Sequence, residues 1–312
     1  MTTLLKLDKI KEHIIHREEN LLLDSVEITN KESFEATLSI CINKKDPLNR
    51  QIFLKEKQPN TYVISVPIYM EILALCAIVS TGKLKPGEAA IFASINNFVK
   101  HSDVPANQII TGHTKRLGVK KEFLKYGGSL TYQNTDCCSG TMTAYFNKIN
   151  FNAPPEPPEN IDLPQTLSIK TNKENRHKVQ EMIICDELVH IDDEKIITKY
   201  TYPVTHPLTK GHFPNNPIMM GVMQWMSIED GVHTYLENQN ENGNNKWSCN
   251  ATIYNQNKNK VADIKGIKLE SWINTSEIKN QTEIIETKRI NFRNMVHPND
   301  TLFTVITDLT AL

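Results

Sequence analysis

Residues 211–222 read Gly211-His212-Phe213-Pro214-Asn215-Asn216-Pro217-Ile218-Met219-Met220-Gly221-Val222 and run straight into an apolar, helix-like stretch from Met220 to Leu236. Two prolines and two asparagines force a turn between the histidine and the helix. A histidine on such a turn is set at a helix start rather than packed into a core, so His212 is the residue to explain. Gly221 opens the helix. There the missing Cβ allows close approach, and free backbone N–H groups favour negative charge.

Working outward, 312 residues with a net charge of −1 are enough for two units of roughly 150 residues, and near-neutrality argues against a dedicated nucleic-acid binder. Cys41, Cys76, Cys137, Cys138, Cys185 and Cys249 show no C-x-x-C spacing, which suits reduced thiols and suggests no metal site. The first residues turn polar too early for a signal peptide, so a cytoplasmic location is expected. The run Val63–Val79 carries Pro67 and Glu71 and suits a buried helix better than a membrane span.

A Pro-rich linker over 151–168, with Pro154, Pro155, Pro157, Pro158 and Pro164, divides the chain. The same order of signals stands on either side, which predicts one fold written twice, over 1–150 and 169–312. Each half is expected to pass from a lead-in (helical around Leu7–Ile15 in the first) to a buried run, Leu21–Val26 or Met182–Leu188. Alternating strands follow at Phe34–Ile42 and Lys195–Tyr202, then apolar helices at Val66–Ser80 and Met220–Leu236. In the first half, Ala89–Phe98, Gln108–Lys115, Ser129–Gln133 and Gly140–Asn147 then read as strands of an antiparallel sheet around one helix. The second half is irregular. Only fourteen residues follow Pro298, and Cys249–Tyr254 and Val261–Leu269 precede the stretch that matches Val104–Gln108. Either these runs supply a missing hairpin in permuted order or the sequence stops early.

Glu71 is the one charge in Val63–Val79. A carboxylate on the buried side of a helix costs several kcal/mol unless it is paired or neutralised, which points to function. Glu229 and Asp230, on the second helix, are expected at its solvated end.

The segment around His212 resembles the signature of β-hydroxyacyl-acyl carrier protein (ACP) dehydratases. In these hot-dog enzymes His-Phe-Pro is followed by Pro, by Gly-Val opening the central helix, and by an acidic residue fourteen positions after the histidine. Here that position is Met226; in the first half, Glu71 occupies it and Lys57 stands where the histidine would be. The resemblance implies an α+β double hot-dog: two antiparallel sheets, each wrapped round a helix, joined as an intramolecular pseudo-dimer. Because the family's sites are shared between units, it also implies one composite site, catalytic His212 with Glu71, and a dead counterpart, Lys57 with Met226. Two positions depart from the pattern, Met220 for a proline and Leu75 for a glutamine.

The implied chemistry is dehydration, or the reverse hydration, of 3-hydroxyacyl thioesters carried on the phosphopantetheine of ACP or coenzyme A. His212 removes the α-proton, the Gly221 amide holds the thioester oxygen and Glu71 protonates the leaving hydroxyl. Phe213, Pro217 and Val222 complete the expected substrate-binding set, with no cofactor or metal. Lys115, Arg116, Lys120 and Lys121 are a candidate carrier-docking cluster, and Met219, Met220, Met223 and Met226 a candidate acyl lining. Two alternatives stay open: a silent acyl-binding or scaffolding module, and another thioester reaction such as hydrolysis or isomerisation.

Overall fold

Alternation governs most of the chain. Along β3 (Glu35–Ile40), Ala36, Leu38 and Ile40 are buried while Glu35, Thr37 and Ser39 are half-covered, the period-2 pattern of a sheet with one packed face. The computed structural model describes residues 2–148, 150, 155–174, 177–241, 245–274 and 279–312, with side chains of 273–280 left aside.

The remaining strands are β1 (Thr3–Lys6), β2 (Ser25–Asn30), β4 (Leu54–Gln58), β5 (Thr61–Ile64), β6 (Glu88–Lys100), β7 (Ile110–Lys120), β8 (Phe123–Tyr132), β9 (Thr135–Lys148) and β10 (Ile169–Lys170). They continue with β11 (Glu187–Ile191), β12 (Lys195–Thr201), β13 (Lys246–Asn255), β14 (Lys260–Asn274), β15 (Lys279–Phe292) and β16 (Thr301–Ala311). The helices are α1 (Leu7–Ile10), α2 (Ile68–Ser80) and α3 (Gly221–Asn238).

The two sheets expected from the sequence are one. Fourteen strands pair antiparallel in the order β1-β2-β3-β7-β8-β9-β6-β15-β14-β13-β16-β12-β11-β10, and β4–β5 form a separate hairpin. The ladder between β6 and β15 joins the two sides edge to edge, for example Ile95 opposite Ile290. Neither strand is left as an open edge there. Counted inward from each rim, the two sides match place for place, with β13, β14, β15 and β16 standing where β8, β9, β6 and β7 stand opposite. Chain order therefore differs between the sides although spatial order does not.

Each side has one central helix. All thirteen residues of α2 are buried, as a helix apolar on every face requires, and it packs on β2, β3, β7, β8 and β9. The α3 helix packs on β11, β12, β15 and β16, and touches α2. Among the described residues no helix is long and apolar enough to cross a membrane.

Two local expectations change. The first helix stops at Ile10, and residues 11–17 continue irregularly toward α2. Leu21, Leu22 and Leu23 are core residues that precede β2 rather than forming a strand. The Pro-rich segment, described from Pro155, is fastened to the second side. Glu159 donates its N–H to Lys258 O at 3.0 Å, and Ile161 and Leu163 pack against a cluster containing Val189, Tyr254 and Phe303.

Candidate active site

His212 is fixed by its own turn. Its backbone N–H donates to Leu208 O at 3.1 Å, and Ile218 N–H donates to His212 O at 2.9 Å. The ring Nδ1–H donates to Ile218 O at 3.0 Å. Because a carbonyl can only accept, the proton sits on Nδ1 and the lone pair on Nε2. The Phe213 ring stacks on the imidazole, with centroids 4.1 Å apart.

Glu71 reaches the same place from the other side of the sheet. It lies on α2, 3 % exposed, and its Oε2 has no hydrogen-bond partner. Burial raises its pKa from the ordinary carboxylate value to about 8. Burial also pushes His212 down to about 4, against the bond to Ile218 O that favours its charged form. At neutral pH the pair is therefore a carboxylic acid beside a neutral imidazole, the opposite of an ion pair.

A third side chain, His16, completes the group. One ligand-type atom each of His16, Glu71 and His212 lie within 4.8 Å of one another. Among the described residues these are the side chains that could hold a divalent ion. Nothing in the sequence marked His16. It is a single histidine in an irregular lead-in, and only the fold carries it to the motif.

Gly211 explains how that segment docks. Arg17 N–H donates to Gly211 O at 3.1 Å, and a Cβ on Gly211 would lie 2.1 Å from Arg17 O. Backbone cannot yield as a flexible side chain can, so Gly211→Ala is expected to cost about 1–3 kcal/mol or more and to displace the segment bearing His16. Thermal melting and turnover should both fall, whereas Gly118→Ala, with nothing within 4 Å, should leave both near wild type.

The three side chains open into a cavity of about 490 Å³, also lined by Gly221, Gln224 and the rings of Phe92, Phe123, Tyr145 and Phe292. Exposed Lys148 and Arg293 stand at its rim. Gly221 is the first residue of α3, where amides lack intrahelical partners. A Cβ there would meet the Phe292 ring at 3.1 Å. The close approach that the glycine permits is thus made by Phe292.

Two expected contacts lie elsewhere. Pro217 belongs to the turn and is not in the lining, and Val222 is fully buried in the core. Met219 lines the cavity, while Met220, Met223 and Met226 are core. The cluster of Lys115, Arg116, Lys120 and Lys121 is outside the lining. Lys115 pairs with Glu35, and the Arg116 guanidinium lies over Phe34.

The counterpart position holds charges. Lys57 pairs with Glu283 at 2.6 Å, Lys55 and Lys100 pair with the same carboxylate, and Met226 is packed out of reach of solvent. Burial alone would raise Glu283, but the three lysines hold it well below the carboxylate range. Glu229 and Asp230 are not at a solvated helix end. Each is 2 % exposed and pairs with Lys178, at 3.0 and 2.6 Å. Backbone N–H groups of Ile284 and Ile184 donate to them.

No family model matches the chain, and no curated relative matches it in sequence. Among solved structures it is similar to the dehydratase domain from the CurK module of curacin polyketide synthase. The TM-score is 0.44 at 11 % identity, over 89 % of this chain and 92 % of that one. An inactive variant of the CurK dehydratase gives 0.45 at 11 % identity, over 89 % and 92 %. The dehydratase heterocomplex ApeI:P from Xenorhabdus doucetiae gives 0.37 at 14 % identity, over 44 % and 90 %. The large antiparallel sheet with its few helices fits a hot-dog fold.

Proposed function

We propose that the chain is a tandem of two hot-dog units, 1–150 and 169–312, linked by 151–168. They form an intramolecular pseudo-dimer whose single working site dehydrates, or in reverse hydrates, 3-hydroxyacyl thioesters on ACP or coenzyme A. One observation carries this reading: a neutral imidazole and a protonated carboxyl, from opposite sides of the sheet, face one apolar cavity within 4.8 Å.

The reaction needs a base beside the thioester carbonyl and an acid at the β-hydroxyl. His212 Nε2 takes the α-proton, with Nδ1 held by Ile218 O so that the ring cannot turn away. The Gly221 amide faces the thioester oxygen as negative charge develops there. Glu71, protonated because it is buried, gives its proton to the departing hydroxyl, which leaves as water. The aromatic rings exclude bulk water around the acyl chain. Lys148 supplies positive charge where the phosphate of a phosphopantetheine arm would pass, beside Arg293, whose Nε donates to Asp263 at 3.0 Å.

The test is turnover of a 3-hydroxyacyl-ACP or 3-hydroxyacyl-CoA across pH. The base must be deprotonated and the acid protonated, so kcat/KM should rise as His212 loses its proton near 4. It should fall as Glu71 ionises near 8. A rate that keeps climbing above pH 9 would exclude Glu71 as the acid.

A further inference from the structure

Dehydration leaves the site in the wrong protonation state for a second round. The proton from the α-carbon is on His212, now an imidazolium, while Glu71 has lost its proton with the water and is a carboxylate. One proton must move from the first to the second before the next substrate reacts. Neither side chain can readily exchange it with solvent, since Glu71 is 3 % and His212 7 % exposed.

His16 touches both. Its Nε2 lies 3.7 Å from Glu71 Oε1, and its ring meets the His212 ring edge-on, with centroids 5.0 Å apart. It is held there firmly. The Arg17 guanidinium donates to Ile14 O at 2.8 Å, His16 O at 2.7 Å and Lys11 O at 3.1 Å, and the Phe213 ring packs edge-on at 4.8 Å. Yet His16 is only 3 % exposed and its Nδ1 has no hydrogen-bond partner. A buried polar atom left unpaired costs about 1–3 kcal/mol, so packing alone does not account for a histidine here. Phenylalanine would fill the same contacts without that cost.

Resting on the dehydratase reading above, we infer that His16 is a positioning residue that returns the proton from His212 to Glu71 after each turnover. A ring nitrogen of His16 takes the proton from His212 Nε2, and the imidazolium so formed gives it from that nitrogen to the Glu71 carboxylate. One N–H bond breaks and one O–H bond forms overall, and His16 ends as it began. The water released by the reaction can bridge what remains of the gap. The direction follows from the environment. Burial first, and then the neighbouring charges at His212 and Arg17, hold His16 well below an ordinary imidazole, so it carries the proton only in passing. Glu71, raised to about 8, is the group that keeps it.

The experiment is rapid-quench dehydration of a 3-hydroxyacyl-ACP by the full chain, comparing wild type with His16→Phe and His16→Gln. The phenylalanine variant preserves the packing, and the glutamine variant keeps a polar group if phenylalanine does not fold. Both should make the first product molecule per site at near the wild-type rate. They should then slow about 10²-fold or more in steady state, the lower end of the range for a lost proton-transfer group, and added imidazole should restore the steady-state rate. Equal slowing of the first and later turnovers, or no slowing, would overturn the relay. So would loss of wild-type activity in EDTA with recovery on adding zinc, which would assign the three side chains to an ion instead. If Glu71→Gln and His212→Ala keep full activity, the dehydratase reading falls and the relay with it. If they are dead while the His16 variants match wild type in steady state, the relay alone falls.

Discussion

Glu71→Gln and His212→Ala should each lower kcat for dehydration of a 3-hydroxyacyl thioester by about 10²- to 10⁴-fold, the range for removing a positioned general acid or base. The glutamine is close in size and still offers polar atoms, but its amide protons are not acidic enough to protonate a leaving hydroxyl. Binding should survive, so KM should move far less than kcat. The double variant should be little slower than the slower single one, because the two groups serve one reaction. Equal rates in all of these proteins would leave the chain as a silent acyl-binding module, and a preserved hydrolysis rate would point to thioester cleavage. Both are read from the same assay, by following unsaturated product and free thiol together.

The second large effect lies at the counterpart position and concerns stability. Glu283 is fully buried, and Lys55, Lys57 and Lys100 share its carboxylate. Lys100 and Lys57 also reach Asp103, at 2.7 and 3.8 Å. Lys55, 4 % exposed, pairs with Glu283 and otherwise lies 5.4 Å from the Trp272 ring. Glu283→Ala should therefore strand the Lys55 ammonium and destabilise the protein by about 3–5 kcal/mol. Pairing it with Lys55→Met should recover part of the loss, since the buried ammonium that Glu283→Ala strands is then gone. Urea unfolding at neutral pH measures both, and a Glu283→Ala loss below about 0.5 kcal/mol would show that the remaining carboxylates suffice.

How much the sequence disclosed differs between these two places. His212 was legible because prolines and a glycine announce a special backbone, and Glu71 because a lone charge in an apolar run has to be explained. His16 was not, since an isolated histidine in a polar lead-in has no local signal and its meaning comes from contacts made some 55 and 196 residues away. Glu229 and Asp230 were misread for the same reason. Helical position gives a direction but not the partner, and Lys178 comes from another element altogether. The strand pattern held through β3, β12 and the two central helices, where alternation or continuous apolarity is strong. It faltered at β15, where Lys, Thr and Glu interrupt the apolar pattern of the strand that pairs edge to edge with β6.

The altered strand order has a consequence for synthesis. On the first side, β3, β7, β8 and β9 leave the ribosome in the order in which they sit side by side, so each can add to a growing edge. On the second, β16 emerges after β13, β14 and β15 yet is the strand between β12 and β13. Those two neighbours must wait with facing edges unfilled until the last of the four arrives. The side bearing Glu71 can close before β16 is made; the side bearing His212 cannot close until β16 has joined it.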